Sequence, residues 1–106
     1  MPGFANNIFS GIPEEIPEEL FDTLALRGSL KIERIISDGQ TSPENFWYDQ
    51  EQNEWVILLQ GEAELEYFDG QRIRLHPGDY ILIPAGQKHR VSYTATKTIW
   101  LAVHFA

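Results

Sequence analysis

Cysteine is absent from the 106 residues of this chain, which removes disulfides, thiolate metal sites and cysteine nucleophiles together. Basic residues are few: 8 Lys and Arg stand against 16 Asp and Glu, for a net charge of −8. They are scattered along the chain, so no cationic face is available for nucleic acid or an anionic membrane surface, and neither partner is expected. No apolar run approaches the roughly 18 residues of a membrane span. The opening MPGFANNIFSGIPEE has neither the basic region nor the apolar core of a secretory signal. A cytoplasmic protein is the resulting expectation. Histidine is also scarce, with 3 in all and none before His76.

What is present suits one small domain, since a chain of this length divided in two would leave neither half an adequate core. NIFSG (7–11) reads as a short edge strand. Pro17 then suits the first turn of a helix, Leu20, Phe21, Leu24 and Leu26 supply its apolar face, and Gly28 its C-terminal stop. Glu14, Glu15, Glu18 and Glu19 fall at the entry of that helix, where the macrodipole favours anions and water solvates them. Residues 1–28 are thus expected to form a strand and a short helical extension packed on a barrel built from 29–106.

From residue 29 the pattern is strand and turn. SLKIERIIS and EAELEYF alternate, EWVILLQ is rich in β-branched residues, and Asp69-Gly70 marks a hairpin before QRIRL. YILIP, HRVSY and TIWLAVHFA follow, separated by HPGD and PAGQ turns. Short strands at this spacing imply an all-β barrel or sandwich.

Within PGDYILIPAGQKHRV, the spacing of Gly78, Pro84, Gly86 and His89 reproduces the second motif of the cupin superfamily. That family's first motif is a glycine, a short spacer, His-x-His, three or four residues, a glutamate, six residues and a glycine. Gly39, Glu54 and Gly61 meet the matching positions. The sequence therefore resembles a small single-domain cupin over about residues 29–105, which implies a double-stranded β-helix, or jelly-roll, barrel. Its first motif is degenerate: the two histidine positions fall on Trp47 and Asp49 with a four-residue spacer before Glu54, or on Tyr48 and Gln50 with that spacer one residue shorter. The asparagine that usually ends the second motif is replaced by Tyr93.

The resemblance implies a divalent ion (zinc, iron, nickel or manganese) held by Glu54, His89 and, under the longer spacer, Asp49. His104 offers another nitrogen if its face of the last strand is interior. Tyr48, Gln50, Tyr93, Trp100 and His104 are the expected lining of a small-molecule pocket, with His89, Tyr48 and Tyr93 as the expected proton-transfer groups. Glu54 is expected to face inward, because it alternates with Val56 and Leu58 against Trp55. His76 is expected to be exposed in its turn. Most of the aromatic rings read as core or subunit packing, and a homodimer is expected by resemblance to other small cupins.

Two functional classes remain. One is a metal-dependent enzyme acting on a small oxygen-containing molecule, dioxygenase- or isomerase-like. A metal-free variant of it would use a histidine base and a tyrosine acid, as some sugar-isomerising cupins do. The other is a non-catalytic cupin that binds a small molecule and has lost the metal site.

Overall fold

The fold was analysed in a computed structural model, which describes residues 4–106. Eight strands follow one another: β1 (Leu20–Arg27), β2 (Leu30–Ser37), β3 (Asn53–Gln60), β4 (Ala63–Tyr67), β5 (Arg72–Leu75), β6 (Tyr80–Ile83), β7 (His89–Thr94) and β8 (Thr98–Phe105). They form two antiparallel sheets, ordered β1-β2-β8-β3-β6 and β5-β4-β7. The two sheets enclose the interior as a jelly-roll barrel. Among the described residues there is no α-helix, and hence no helix long and apolar enough to cross a membrane.

The helix expected after Pro17 is instead β1. Gly28 does adopt a left-handed φ of 57°, but as the first residue of a two-residue hairpin loop that pairs Arg27 with Leu30. The same backbone preference that ends a helix also turns a hairpin, and the partner strand LKIERIIS decides between them. Pairing with β2 satisfies the backbone of a segment too short to be a stable helix alone. A register shift between Thr23 and Ala25 changes the alternation that would have exposed the strand to sequence reading. The edge strand expected at 7–11 is also not formed. Asn7 closes a turn there, its side-chain oxygen accepting from Phe9 N at 2.8 Å and its carbonyl from Ser10 N at 3.0 Å.

Alternation then sorts the side chains. On β8, Trp100, Ala102 and His104 face inward, opposite Leu58, Val56 and Glu54 of β3. Val56, Leu58, Ala63, Leu65, Leu75, Ile83, Trp100 and Ala102 form the buried core, with Ile35, Ile73, Ile81 and Val91 packed against it. The apolar pairs fill one end of the barrel, while Glu54 and His104 occupy the other. Gly61, which closes the first motif, has φ 89° and lies so near β8 that a Cβ would stand 2.8 Å from the Thr98 Cα.

The segment before β1 runs back along the barrel. The Arg34 guanidinium donates to the carbonyls of Ile8 (2.9 Å) and Ser10 (2.7 Å) and pairs with Asp22 at 2.8 Å. Lys97 Nζ donates to the Glu14 carbonyl at 2.6 Å, and Gln40 Nε2 to that of the buried Ile16 at 2.8 Å.

Candidate functional site

Between the sheets, at the polar end of the barrel, lies a chamber of about 90 Å³. Its walls are mostly apolar, from Phe21, Ile35, Val56, Leu65, Ile83, Val91 and Trp100. Its polar groups are Glu19, Glu33, Tyr48, Gln50, Glu54, His89 and His104.

His89 starts β7 after the Pro84–Gly86 turn. Its backbone makes a two-way bridge with Tyr48 (Tyr48 N to His89 O, 2.7 Å; His89 N to Tyr48 O, 3.1 Å). Gly86 N donates to the Gln50 carbonyl at 2.8 Å. The second-motif turn therefore pins the degenerate first motif in extended form, and extended backbone sends alternate residues to opposite sides. Tyr48 and Gln50 line the chamber; Trp47 packs edge-on against Phe68 with ring centroids 5.1 Å apart, and Asp49 is exposed. The shorter spacer is thus the one whose residues face the interior.

His89 is 4% exposed, and its imidazole stacks on the Tyr48 ring at 5.6 Å. Its Nδ1 lies 2.9 Å from the Gln87 carbonyl, which can only accept, so Nδ1 carries the proton and Nε2 presents its lone pair in the neutral ring. That Nε2 is 3.8 Å from Glu54 Oε1, too far for a hydrogen bond. Glu54 is 8% exposed, and burial raises its carboxyl above the ordinary value; nearby His104 and His89 oppose that rise, and Glu33 adds to it. The Tyr48 phenol is likewise raised, chiefly by burial and then by the carboxylates of Glu19 and Glu54, and holds its proton.

Two further groups are tied to neighbours. His104 Nε2 lies 2.8 Å from Glu33 Oε1, and Lys31 Nζ pairs with the other oxygen of Glu33 at 3.2 Å. Trp100 Nε1 donates to Ser37 Oγ at 3.1 Å, and that hydroxyl donates to Glu19 at 2.5 Å. Glu33, Gln50 and His104 also border an outer, open vestibule of about 480 Å³ that adds Lys31, Glu51 and Gln52.

Of the residues singled out from sequence, Glu54, His89, Tyr48, Gln50, Trp100 and His104 converge on the chamber. Asp49 does not, and no third carboxylate oxygen reaches Glu54 and His89 from that position. Tyr93 is 39% exposed on the outside of β7, with the Arg74 guanidinium 4.7 Å above its ring, because the β4–β7 pairing places it opposite outward Glu64. Glu19, Glu33 and Phe21 were not anticipated. Glu33 shares the face of Ile35 in an alternating strand, a signal that was available; Glu19 and Phe21 were concealed by the helical reading of their segment.

A divalent ion, as the fold family implies, would need more donors than these. Among the described residues no three His, Asp or Glu side chains are placed to share a cation. The motif positions supply one carboxylate and one imidazole, beside a neutral amide and a phenol that burial keeps protonated, whereas even open catalytic zinc sites usually keep three protein ligands. The donor set does not fit a tightly held metal.

The profile of the Cupin domain family matches residues 34–104. Among solved structures, a protein from Ralstonia eutropha JMP134, provisionally named a mannose-6-phosphate isomerase, is 44% identical over 96% of this chain and 97% of its own, with a TM-score of 0.92. A cupin superfamily protein from Desulfitobacterium hafniense DCB-2 is 21% identical, with coverage of 99% and 94% and a TM-score of 0.80. A Streptococcus pyogenes protein of unknown function is 22% identical, with coverage of 100% and 90% and a TM-score of 0.78. Among curated proteins no sequence matches. With the motif glycines, Glu54 and His89 at their stations in a jelly-roll barrel and the family profile spanning most of the strands, the chain belongs to the cupin family.

Proposed function

We propose that this cupin binds a small polar molecule in its barrel chamber directly through acid–base side chains, without a coordinated metal ion. The observation that carries this reading is the convergent pair at the chamber wall: His89 Nε2 and Glu54 Oε1 face each other at 3.8 Å on two buried residues that line the chamber, with no hydrogen bond between them. Two acceptors turned towards one small space offer a bound donor both of their lone pairs at once.

The provisional name of the Ralstonia protein suggests sugar-phosphate isomerisation, but this chamber supports a different ligand. Among the described residues no Lys or Arg lines it, three Glu do, and its 90 Å³ fall well short of the roughly 300–1,000 Å³ of pockets for larger ligands. A phosphate dianion would meet repulsion there.

One geometric feature favours turnover as a second reading. The Gln87 carbonyl fixes the His89 tautomer so that Nε2 can take a proton from a bound molecule, and the raised Glu54 carboxyl and the Tyr48 phenol can return one. These are the groups that an isomerisation by proton transfer requires.

Elemental analysis of the purified protein, with melting curves in the presence of zinc, manganese, nickel and ferrous iron, tests the metal-free reading. Substoichiometric metal and unchanged melting temperatures are expected. One equivalent of metal that is lost from a Glu54→Ala, His89→Ala variant would overturn it.

A further inference from the structure

The hydrogen-bonding character of the chamber narrows the ligand class, given the metal-free reading above. Nδ1 of His89 is spent on the Gln87 carbonyl, so Nε2 of the neutral ring is an acceptor. An ionised Glu54 carboxylate is also an acceptor. Neither can satisfy the other, and they stand 3.8 Å apart. A single atom about 2.8 Å from both would subtend roughly 85° between them, and it must donate two hydrogens. An alcohol hydroxyl has one hydrogen to give; water has two but no charge; a primary ammonium has three, set at tetrahedral angles, and a positive charge to match the carboxylate.

Charge agrees with this requirement. Glu19 adds a second carboxylate to the lining, held by the Ser37 hydroxyl, and no Lys or Arg is among the lining side chains described; Glu33, the third, is shared with His104 and Lys31. Lys31, the cation of the vestibule, is paired with Glu33. Tyr48 and Trp100 also line the chamber, and aromatic rings attract organic cations. The chamber volume of about 90 Å³ admits a chain of only a few heavy atoms, and the amides of Gln50 and Gln52 mark the polar exit for its other end.

We propose that the chamber is a binding site for a short-chain primary ammonium ion, its nitrogen seated between Glu54 and His89. The carboxylate supplies the charge, the imidazole lone pair takes the second N–H, and the apolar walls enclose the carbon chain. Charge and donor count together set the selectivity: a quaternary ammonium has the charge without the N–H groups, and an alcohol has one donor without the charge.

The test is an NMR titration of chelator-treated protein with propylammonium, propanol, propionate and tetramethylammonium, following the His89 imidazole and the amides of β3 and β7. Saturable shifts with propylammonium are expected, with each of the other three weaker by about tenfold or more, the worth of a charge-assisted hydrogen bond. Glu54→Gln, nearly isosteric, should remove the preference over propanol; His89→Phe, which keeps the ring but lacks Nε2, should weaken propylammonium while leaving its preference over propanol. Amide spectra of both variants check that they fold. Propanol or propionate binding at His89 as tightly as propylammonium would overturn the ammonium assignment and leave the metal-free pocket standing. Propylammonium shifts unaffected by Glu54→Gln would also overturn it. A stoichiometric metal in untreated protein would overturn the underlying reading instead.

Discussion

Replacing Glu54 with Gln removes one charge from the barrel while keeping nearly the same shape, and its effect on stability has a definite sign. The side chain is 11% exposed, has no hydrogen-bond partner among the described residues and sits 3.8 Å from His89 Nε2. Burial dominates and raises its carboxyl above the ordinary 4.5. A carboxyl raised on folding keeps its proton in the folded chain over a range where the unfolded chain has already lost it. The wild type therefore loses stability as pH climbs from about 4.5 through the raised value, and the full loss is in place above it. Gln carries no charge at any pH and is spared that loss. Glu54→Gln should thus be more stable than wild type at pH 7, by on the order of 1 kcal/mol, because the amide has no charge to desolvate. For a chain of this size that is about 4 °C or more in melting temperature. The gain should shrink towards zero below pH 4.5. Urea unfolding of both proteins across pH 4–8, at about half-unit steps, reads the difference directly. A variant less stable than wild type at pH 7 would show that His89 and His104 more than compensate Glu54. A difference independent of pH would show that ionisation is not its cause. Stability gained where binding is lost is the trade expected of a functional group.

Gly61→Ala combines a positive φ with a Cβ 2.8 Å from the Thr98 backbone; it should cost roughly 3 kcal/mol or more, and a loss below about 1 kcal/mol in chemical denaturation would contradict the close packing of β8. Arg34→Ala releases the carbonyls of Ile8 and Ser10 and the Asp22 carboxylate together; hydrogen exchange should accelerate over residues 8–22, and unchanged protection would mean that other contacts hold the segment. A homodimer formed through the outer face of the larger sheet is expected from Trp55, Leu82 and Val103, which share one register row, with Leu82 51% and Tyr80 67% exposed. Sedimentation should show a dimer for the wild type and a monomer for Leu82→Glu; a monomeric wild type would sink this expectation.

The motif arithmetic was readable because it is local. Gly78, Pro84, Gly86 and His89 lie on two turns, the short strand between them and the first residue of the next, and the six residues from Glu54 to Gly61 fill one strand. Alternation likewise put Glu54 with Val56 and Leu58 on the inner face. The N-terminal region was misread for the opposite reason. Leu20–Arg27 has apolar residues at spacings that fit a short helix, and only its pairing with β2 makes it a strand. Glu19 and Phe21 consequently line the site without a signal in the sequence.

By itself, then, the sequence determined the barrel, the strands from residue 29 onward, and the inward stations of Glu54 and His89. Covalent spacing and side-chain period are properties of the chain alone. Tertiary structure decided what occupies the degenerate first motif. The bridge from His89 to Tyr48 and the hydrogen bond from Gly86 to Gln50 set the parity of that segment, turning Tyr48 and Gln50 inward and Asp49 out to solvent. A shift of one residue inverts every side chain in an extended segment. Parity there depends on a partner strand some forty residues away, and no local pattern encodes it.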